Sequence, residues 1–513
     1  MGRIVTTAGA REHPVPQRSA RHGLRTPGIW TILLGGLVLR LVIDFMLIPG
    51  QGFRDDLRLF EEWASTLATV GPGAFYHNTL PAGLSPGYLY TPGYLYVLWV
   101  VGAVARAIAG ITGETQAASL QQLIKLPAIM ADLAIAFVLY QVAGRWSSRR
   151  AGAIAASLYL FIPITWYDSA VWGQVDAVGT LLLLVSIVLL IRGWSEPSLV
   201  VAVAAAVTKP QYVIGLVVVG SVLIGRHLIR SGSGPIPRLG PIAGKFDRRL
   251  GGWFTQEQGL RRLAAAFVSA IVAFLILVVP FDLSALAPDR FADVPVVGDI
   301  AGFLILVRSA AGYYPYLTVN AFNGWAFIGS TPLVDGLAHG NTRTLDAIQV
   351  IGPVSAVVVG AALIAAMTLL VSAVLVLRNG RDAILVGFTV LALAFFILPT
   401  RSHERYLFPA LASGALLAAT SVRWRTWLIA LGLAQAANVH AVLTLPQYGG
   451  PGLAQAPFAL ELQSPAAIVA LSTIQTVLLV AATVGFVQRF AAPALIEGWA
   501  ALRRRWIGPP GVP

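Results

Sequence analysis

Charged side chains are scarce in this chain, so each cluster that interrupts an apolar run raises the question of what chemistry it could serve. The first is Gly52 to Ala64, GFRDDLRLFEEWA, where Asp55 and Asp56 stand side by side just after the first hydrophobic stretch. Further along come Trp166-Tyr167-Asp168, Trp172-Gly173-Gln174-Val175-Asp176, Thr208-Lys209-Pro210-Gln211 and Arg401-Ser402-His403-Glu404-Arg405-Tyr406. Together they offer a carboxylate able to accept a proton and several cations, Lys209, Arg401, His403 and Arg405, able to hold an anion. A phosphate leaving group needs its developing charge stabilised by Arg, Lys or His, and guanidinium groups can do so bidentately. An attacking hydroxyl needs a base within hydrogen-bond reach. The set suits glycosyl transfer from a lipid-phosphate sugar, with Asp56 taking the acceptor's proton and the anomeric carbon inverting. That scheme demands no metal and no cofactor.

Each cluster also has a plainer reading. Leu57, Phe60, Trp63, Ala64 and Leu67 follow Asp56 at three and four spacing, which predicts an interfacial helix with one face down, and Asp56 could simply cap its start. Trp and Tyr near span ends often anchor at headgroup level, a Lys at a helix break often snorkels, and Asp168 or Asp176 could be caps. The plainer reading is weakest for residues 401 to 405. A His, a Glu and two Arg there run against the expected charge bias, and ionisable groups at membrane depth tend to mark sites. Arg40 and Asp44, four apart on one helical face, are expected to pair. Lys125 and Asp132, seven apart, could be supporting or purely structural, and Asn438 and His440 lie near the end of a later span.

The elements that must position these residues are membrane helices. Of 513 residues, 57% are hydrophobic and only 12% charged, against about 25% charged in ordinary soluble domains. The fold class expected is all-α polytopic. The net charge of +13 sits mostly in short loops between apolar spans, a pattern that orients membrane proteins and does not call for nucleic acid. With no cysteine, disulfides and thiolate chemistry are excluded, and the redox compartment is left open. Residues 1–27 carry five arginines and one acid and read as a basic cytoplasmic tail before an uncleaved anchor.

At about 20 residues per crossing, spans are expected at 28–49, 121–143, 150–164, 176–192, 197–208, 211–226, 262–281, 347–378, 383–399, 405–420, 425–444 and 464–488. Residues 92–111 are apolar enough for one more. If they crossed, the later Arg-rich loops would all face away from the cytoplasm, against the positive-inside rule. They are therefore read as an interfacial or re-entrant helix in an external loop spanning 50–120, with both termini cytoplasmic. Pro86-Gly87-Tyr88-Leu89-Tyr90 and Pro92-Gly93-Tyr94-Leu95-Tyr96 form a small tandem repeat there, whose tyrosines suit a headgroup belt. The organisation expected is the 1–27 tail, a catalytic membrane module over 28–281, an external region over 282–346 with an amphipathic element near 296–310, and C-terminal helices over 347–513. The loop from Arg226 to Arg262 reads as cytoplasmic, flexible and lipid-facing. All the polar clusters then fall on one external face.

Taken in order, GFRDDLRLFEEWA, YTPGYLYVLW, KLPAIMADL, WYDSAVWGQVD, TKPQ, VNAFNGWAFIG and SHERYLFPA resemble the GT-C membrane glycosyltransferases. The likeness is to bacterial relatives of the second mannosyltransferase of GPI-anchor synthesis and, more distantly, to the dolichyl-phosphate-glucose-dependent glucosyltransferases. It runs from about residue 28 to 410. It implies a polyprenyl-phosphate-linked hexose donor (mannose or glucose), a glycan, glycolipid or protein acceptor, and an extracytoplasmic active site in a bacterial plasma membrane. The family's carboxylate stands four before a Phe and seven before a Trp-Ala, which selects Asp56 over Asp55. The His403-Glu404-Arg405 run matches the family's His-Glu-basic motif near the donor phosphate, which Lys209 and Arg401 would join. Asp55, Tyr94, Trp172, Gln174, Asp176 and Glu404 are the expected substrate-binding set. Thr91 departs from the family, which usually has proline there. The competing functions are a transporter or flippase of a lipid-linked saccharide and an O-antigen ligase or polymerase.

Overall fold

The computed structural model describes residues 26–79, 90–328 and 344–494. The basic tail up to residue 25, the first tandem copy through Leu89, and Arg503 to Arg505 lie outside the described residues. Among those described, eight helices are long and apolar enough to cross a membrane, or nine if the bent pair Arg149–Phe161 and Pro163–Trp172 is one span. The chain is an all-α polytopic membrane protein. Among the described residues the one small sheet is an antiparallel pair, Gln349–Ile351 with Val354–Ser355.

The ends of the helices sort by charge. At one end, Arg262 pairs with Glu196 at 3.0 Å, Arg226 donates to the Asn379 carbonyl at 3.1 Å, Arg381 lies 5.2 Å from the Trp146 ring, and Arg489 pairs with Asp382 at 2.7 Å. The described basic loops expected to share a side therefore meet. Arg226 and Arg262 are 2% and 0% exposed, so these two are ties between helix ends, not loop charges. Part of the 226–262 loop is also helical, over Pro241–Arg249. The opposite end gathers Asp56, Trp172, Asp176, Lys209 and Arg405.

Three helices belong to that second end without running through the bundle. Arg54–Val70 buries Leu57, Phe60, Trp63, Ala64 and Leu67, the stripe the spacing predicts. Pro92–Thr112 lies along it, close enough that a side chain at Gly102 would strike the Ala64 carbonyl. Gly93, at the start of Pro92–Thr112, packs on the Thr208 backbone. From its far end the chain returns through Gln116–Leu123, which packs against both helices, to Lys125, whose Nζ reaches the Ala170 carbonyl at 3.0 Å. Eight helical residues rise only about 12 Å, well short of the ~30 Å hydrocarbon core. Pro92–Thr112, although long and apolar enough to span, therefore leaves and returns at the same end. Its outer residues Val100 and Ile111 are 60% and 85% exposed, as suits a helix lying in the interface.

Several expected boundaries shift. The span placed at 347–378 begins at Ala356, because residues 349–355 turn as the hairpin. Asp176–Ile191, Ser195–Thr208 and Phe408–Ala418 are shorter than a full crossing. The amphipathic element near 296–310 is the helix Val297–Gly312.

The expected Arg40–Asp44 pair does not form. A π-helical turn over Val42–Leu47 widens the winding after Arg40 and breaks the i,i+4 alignment. Arg40 instead pairs with Asp132 at 2.9 Å, both side chains fully buried, and donates to Ser169 and Thr165. Tyr159 satisfies the other Asp132 oxygen at 2.8 Å. Asp44 pairs with Lys125 at 2.9 Å. Both pairs are buried, hydrogen-bonded ties between the first helix and those that follow.

Candidate active site

The site is built on the turn from Asp168 to Asp176. Tyr167–Trp172 winds as a π-helix, and the amides of Gly173 and Gln174 both donate back to the Asp168 carbonyl. Gly173 has φ +85, a left-handed conformation that glycine adopts without strain, and it reverses the chain so that Asp176 opens the next helix. Gly52 packs against the carbonyls of Val171 and Trp172, seating the start of Arg54–Val70 on this turn.

Asp56 is the third residue of its helix and does not cap it. Phe53 holds the cap position, without a side-chain hydrogen bond. The Asp56 Oδ2 atom accepts from Trp172 Nε1 at 2.8 Å and from Gln174 Nε2, and Arg405 Nη2 lies 3.9 Å away. Its Oδ1 has no hydrogen-bond partner among the described residues, and its side chain is 19% exposed. Asp55, next to it, is exposed and has no ion pair among the described residues.

Behind Asp56 lies a buried hub, Asp176, with 0% exposure. Oδ1 accepts from Gln211 at 2.9 Å, Tyr212 at 3.0 Å and Lys209 at 3.3 Å, and Arg405 Nε is 3.3 Å from Oδ2. The break at Lys209-Pro210 turns these donors inward, and Gly179 leaves the space that the Tyr212 ring fills. Arg405 also pairs with Glu404, and its guanidinium sits 4.9 Å from the centre of the Trp172 ring. Burial works against the Arg405 charge, but Glu404, Asp56 and Asp176 hold its pKa well above the ordinary value. Burial pushes the Glu404 carboxyl up, with Arg405 opposing, and pushes Tyr406 up to about 12 against the pull of Lys209 and Arg405.

The Trp172 ring is stacked in turn on Phe53 at 4.7 Å and 1°, and Phe53 on Tyr448 at 4.9 Å and 18°. Arg405, Trp172, Phe53 and Tyr448 thus form one column. His403 sits between Tyr314 and Tyr406, each 5.1 Å away by ring centre. Its backbone bridges to Val319 and Asn320, so the VNAFNGWAFIG segment, up to Ile328, clamps the 401–405 turn. Asn438 holds that segment, accepting from the Phe322 amide at 3.0 Å and donating to the Asn320 carbonyl at 2.9 Å.

The structure brings together Asp56, Trp172, Gln174, Asp176, Lys209, Glu404 and Arg405. It does not bring Arg401 into the cluster. Asp346 holds Arg401 Nε at 2.7 Å and Nη2 at 3.3 Å, and the Ala311 carbonyl takes Nη1. The expected substrate-binding set also divides. Trp172, Gln174, Asp176, Glu404 and Tyr94 are each at most 1% exposed, whereas Asp55 faces outward. Tyr94 packs on Phe60 at 5.4 Å. Sequence reasoning singled out the break that carries Gln211 but gave that residue no role, and it missed Tyr212, Phe53, Tyr448 and Tyr90, whose ring centre lies 5.7 Å from Lys209 Nζ. Gln211 and Tyr212 could have been found from Pro210, which breaks the helix beside them, whereas Tyr448 lies beyond any recognisable motif. Among the described residues no group of three or more His, Asp or Glu is arranged to hold a metal ion.

No family model and no curated protein matches this chain. Among solved structures, it is similar to ArnT from Cupriavidus metallidurans bound to undecaprenyl phosphate, at 16% identity and a TM-score of 0.41 over 89% of this chain and 77% of that one. A likeness at that level carries no argument about activity.

Proposed function

We propose that this protein is a GT-C-type glycosyltransferase that moves a hexose, mannose or glucose, from a polyprenyl-phosphate donor to an acceptor on the external side of the membrane. The observation that carries the reading is Asp56, the partly exposed carboxylate of an otherwise buried polar cluster. Trp172 and Gln174 fix one of its oxygens, and the other has no protein partner among the described residues. In the step this supports, the acceptor hydroxyl oxygen attacks the anomeric carbon, and its proton passes to Asp56 Oδ1. The bond from the anomeric carbon to the phosphate oxygen breaks, and polyprenyl phosphate leaves with the electron pair, inverting the centre.

Three carboxylates, Asp56, Asp176 and Glu404, already surround Arg405. Arg405 therefore serves to orient Asp56, and the donor phosphate is assigned to His403, which packs on Tyr406, and to Lys209, whose one ion pair among the described residues is with Asp176. The site lies at the bundle end opposite the basic loops, which the positive-inside rule makes extracytoplasmic.

The test supplies purified protein with a radiolabelled polyprenyl-phosphate mannose or glucose and a membrane extract. Label should appear in a new product. Label that crosses a proteoliposome bilayer chemically unchanged would replace this reading with translocation of a lipid-linked saccharide.

A further inference from the structure

At the basic end of the bundle, three helices leave a cleft between them. It is lined by Val386 of Arg381–Ile397, by Arg423, Trp424 and Trp427 of Val422–Leu443, and by residues 481–490 at the end of Pro465–Phe486 and the turn beyond it; its volume is about 110 Å³. The floor is small and apolar, formed by Ala481, Ala482 and Gly485. The Arg423 guanidinium lies across Gly485, with Nη2 3.7 Å from where a Cβ would stand. Arg423 makes no hydrogen bond or ion pair among the described residues. At the other lip, Arg489 shares Asp382 with Arg381, so of the two guanidinium groups that line the cleft Arg423 has no carboxylate partner among the described residues. The first turn of Val422–Leu443 adds the positive end of its dipole.

We propose that this cleft binds an anionic phospholipid. Its phosphodiester would sit between Arg423 and Arg489, and an acyl chain would run along Trp424, Trp427 and the small-residue face of Pro465–Phe486. An apolar floor beneath two guanidinium groups, one of them without a carboxylate partner among the described residues, matches an amphiphile with a negative head, and basic pockets between helices on the cytoplasmic side of membrane proteins are where such headgroups bind. A zwitterionic lipid leaves the Arg423 charge uncompensated. A free phosphate leaves the apolar floor empty. The proposal stands independently of any transferase activity at the other end.

The experiment is native mass spectrometry of the full-length protein, delipidated in detergent and titrated with dioleoyl phosphatidylglycerol, dioleoyl phosphatidylcholine or inorganic phosphate. The expected result is one preferentially bound phosphatidylglycerol whose affinity falls roughly fivefold for each arginine removed in Arg423→Gln and in the double variant with Arg489→Gln. Arg249→Gln, which removes an exposed charge from the same end, should leave it unchanged. The proposal fails if phosphatidylcholine binds equally, if Arg249→Gln weakens binding as much as Arg423→Gln, or if inorganic phosphate displaces the lipid.

Discussion

At the scale of single residues, the division between Asp55 and Asp56 is the sharpest result. The two differ by one position, yet one faces solvent and the other is gripped by an indole and an amide. Asp56→Asn keeps the volume and removes the proton acceptor, so transfer should fall by about 10²–10⁴-fold with an unchanged melting curve. A variant that turns over near the parent rate would remove Asp56 from its role. Trp172→Phe keeps the ring between Phe53 and Arg405 but deletes the N–H to Asp56. Losing a hydrogen bond to a charged group costs about 1.5–3 kcal/mol, so turnover should drop roughly 10- to 100-fold with the fold retained. His403→Ala should raise the apparent KM for the polyprenyl-phosphate donor more than that for the acceptor; equal effects on both would make the residue structural. That the acidic pair, the Trp-Gly-Gln turn and the Lys-Pro break would meet was legible in the sequence, since each is a local signal. Which residues look outward was not. Exposure depends on how four distant segments close over one another, so nothing local showed that Glu404 and Asp176 would be buried.

At the scale of elements, the stripe of Arg54–Val70 follows from spacing alone, because an apolar face at three and four intervals has one way to bury itself. The ion pairs do not follow in the same way. Arg40 and Asp44 looked like neighbours on an ideal helix, and a single π turn sends each to a different partner. Such a turn leaves no clear trace in composition. The consequence is measurable: Asp132→Ala leaves a fully buried guanidinium without its carboxylate and should cost about 3–5 kcal/mol, read as a lowered melting temperature in detergent. An effect within error of the parent would mean that Ser169, Thr165 and the carbonyls suffice to hold Arg40. The hairpin at 349–355 was missed for a related reason. It is short, it adjoins a long apolar run, and hydropathy averaging absorbs it into that run.

At the scale of the whole molecule, the sorting of charge between the two ends was legible in the sequence for the loops among the described residues. It needed only the assumption that basic loops share a side, and the contacts among Arg226, Arg262, Arg381 and Arg489 bring those loops together. Because the chain has no cysteine, single introduced cysteines can test sidedness directly. In intact cells a membrane-impermeant maleimide should label Asp55→Cys and leave Arg150→Cys unlabelled until the cells are opened. The reverse pattern would put the candidate site in the cytoplasm and with it reject an external acceptor.

The column that ends in Tyr448 has one more implication. Every recognisable signature lies before residue 411, yet the outermost ring of the stack and the Asn438 amide that steadies Phe322 both come from after it. A gene cut at the Thr420 turn and expressed as two polypeptides should therefore behave as a complementation pair: each fragment inert alone, with turnover returning only when the second reassembles on the first.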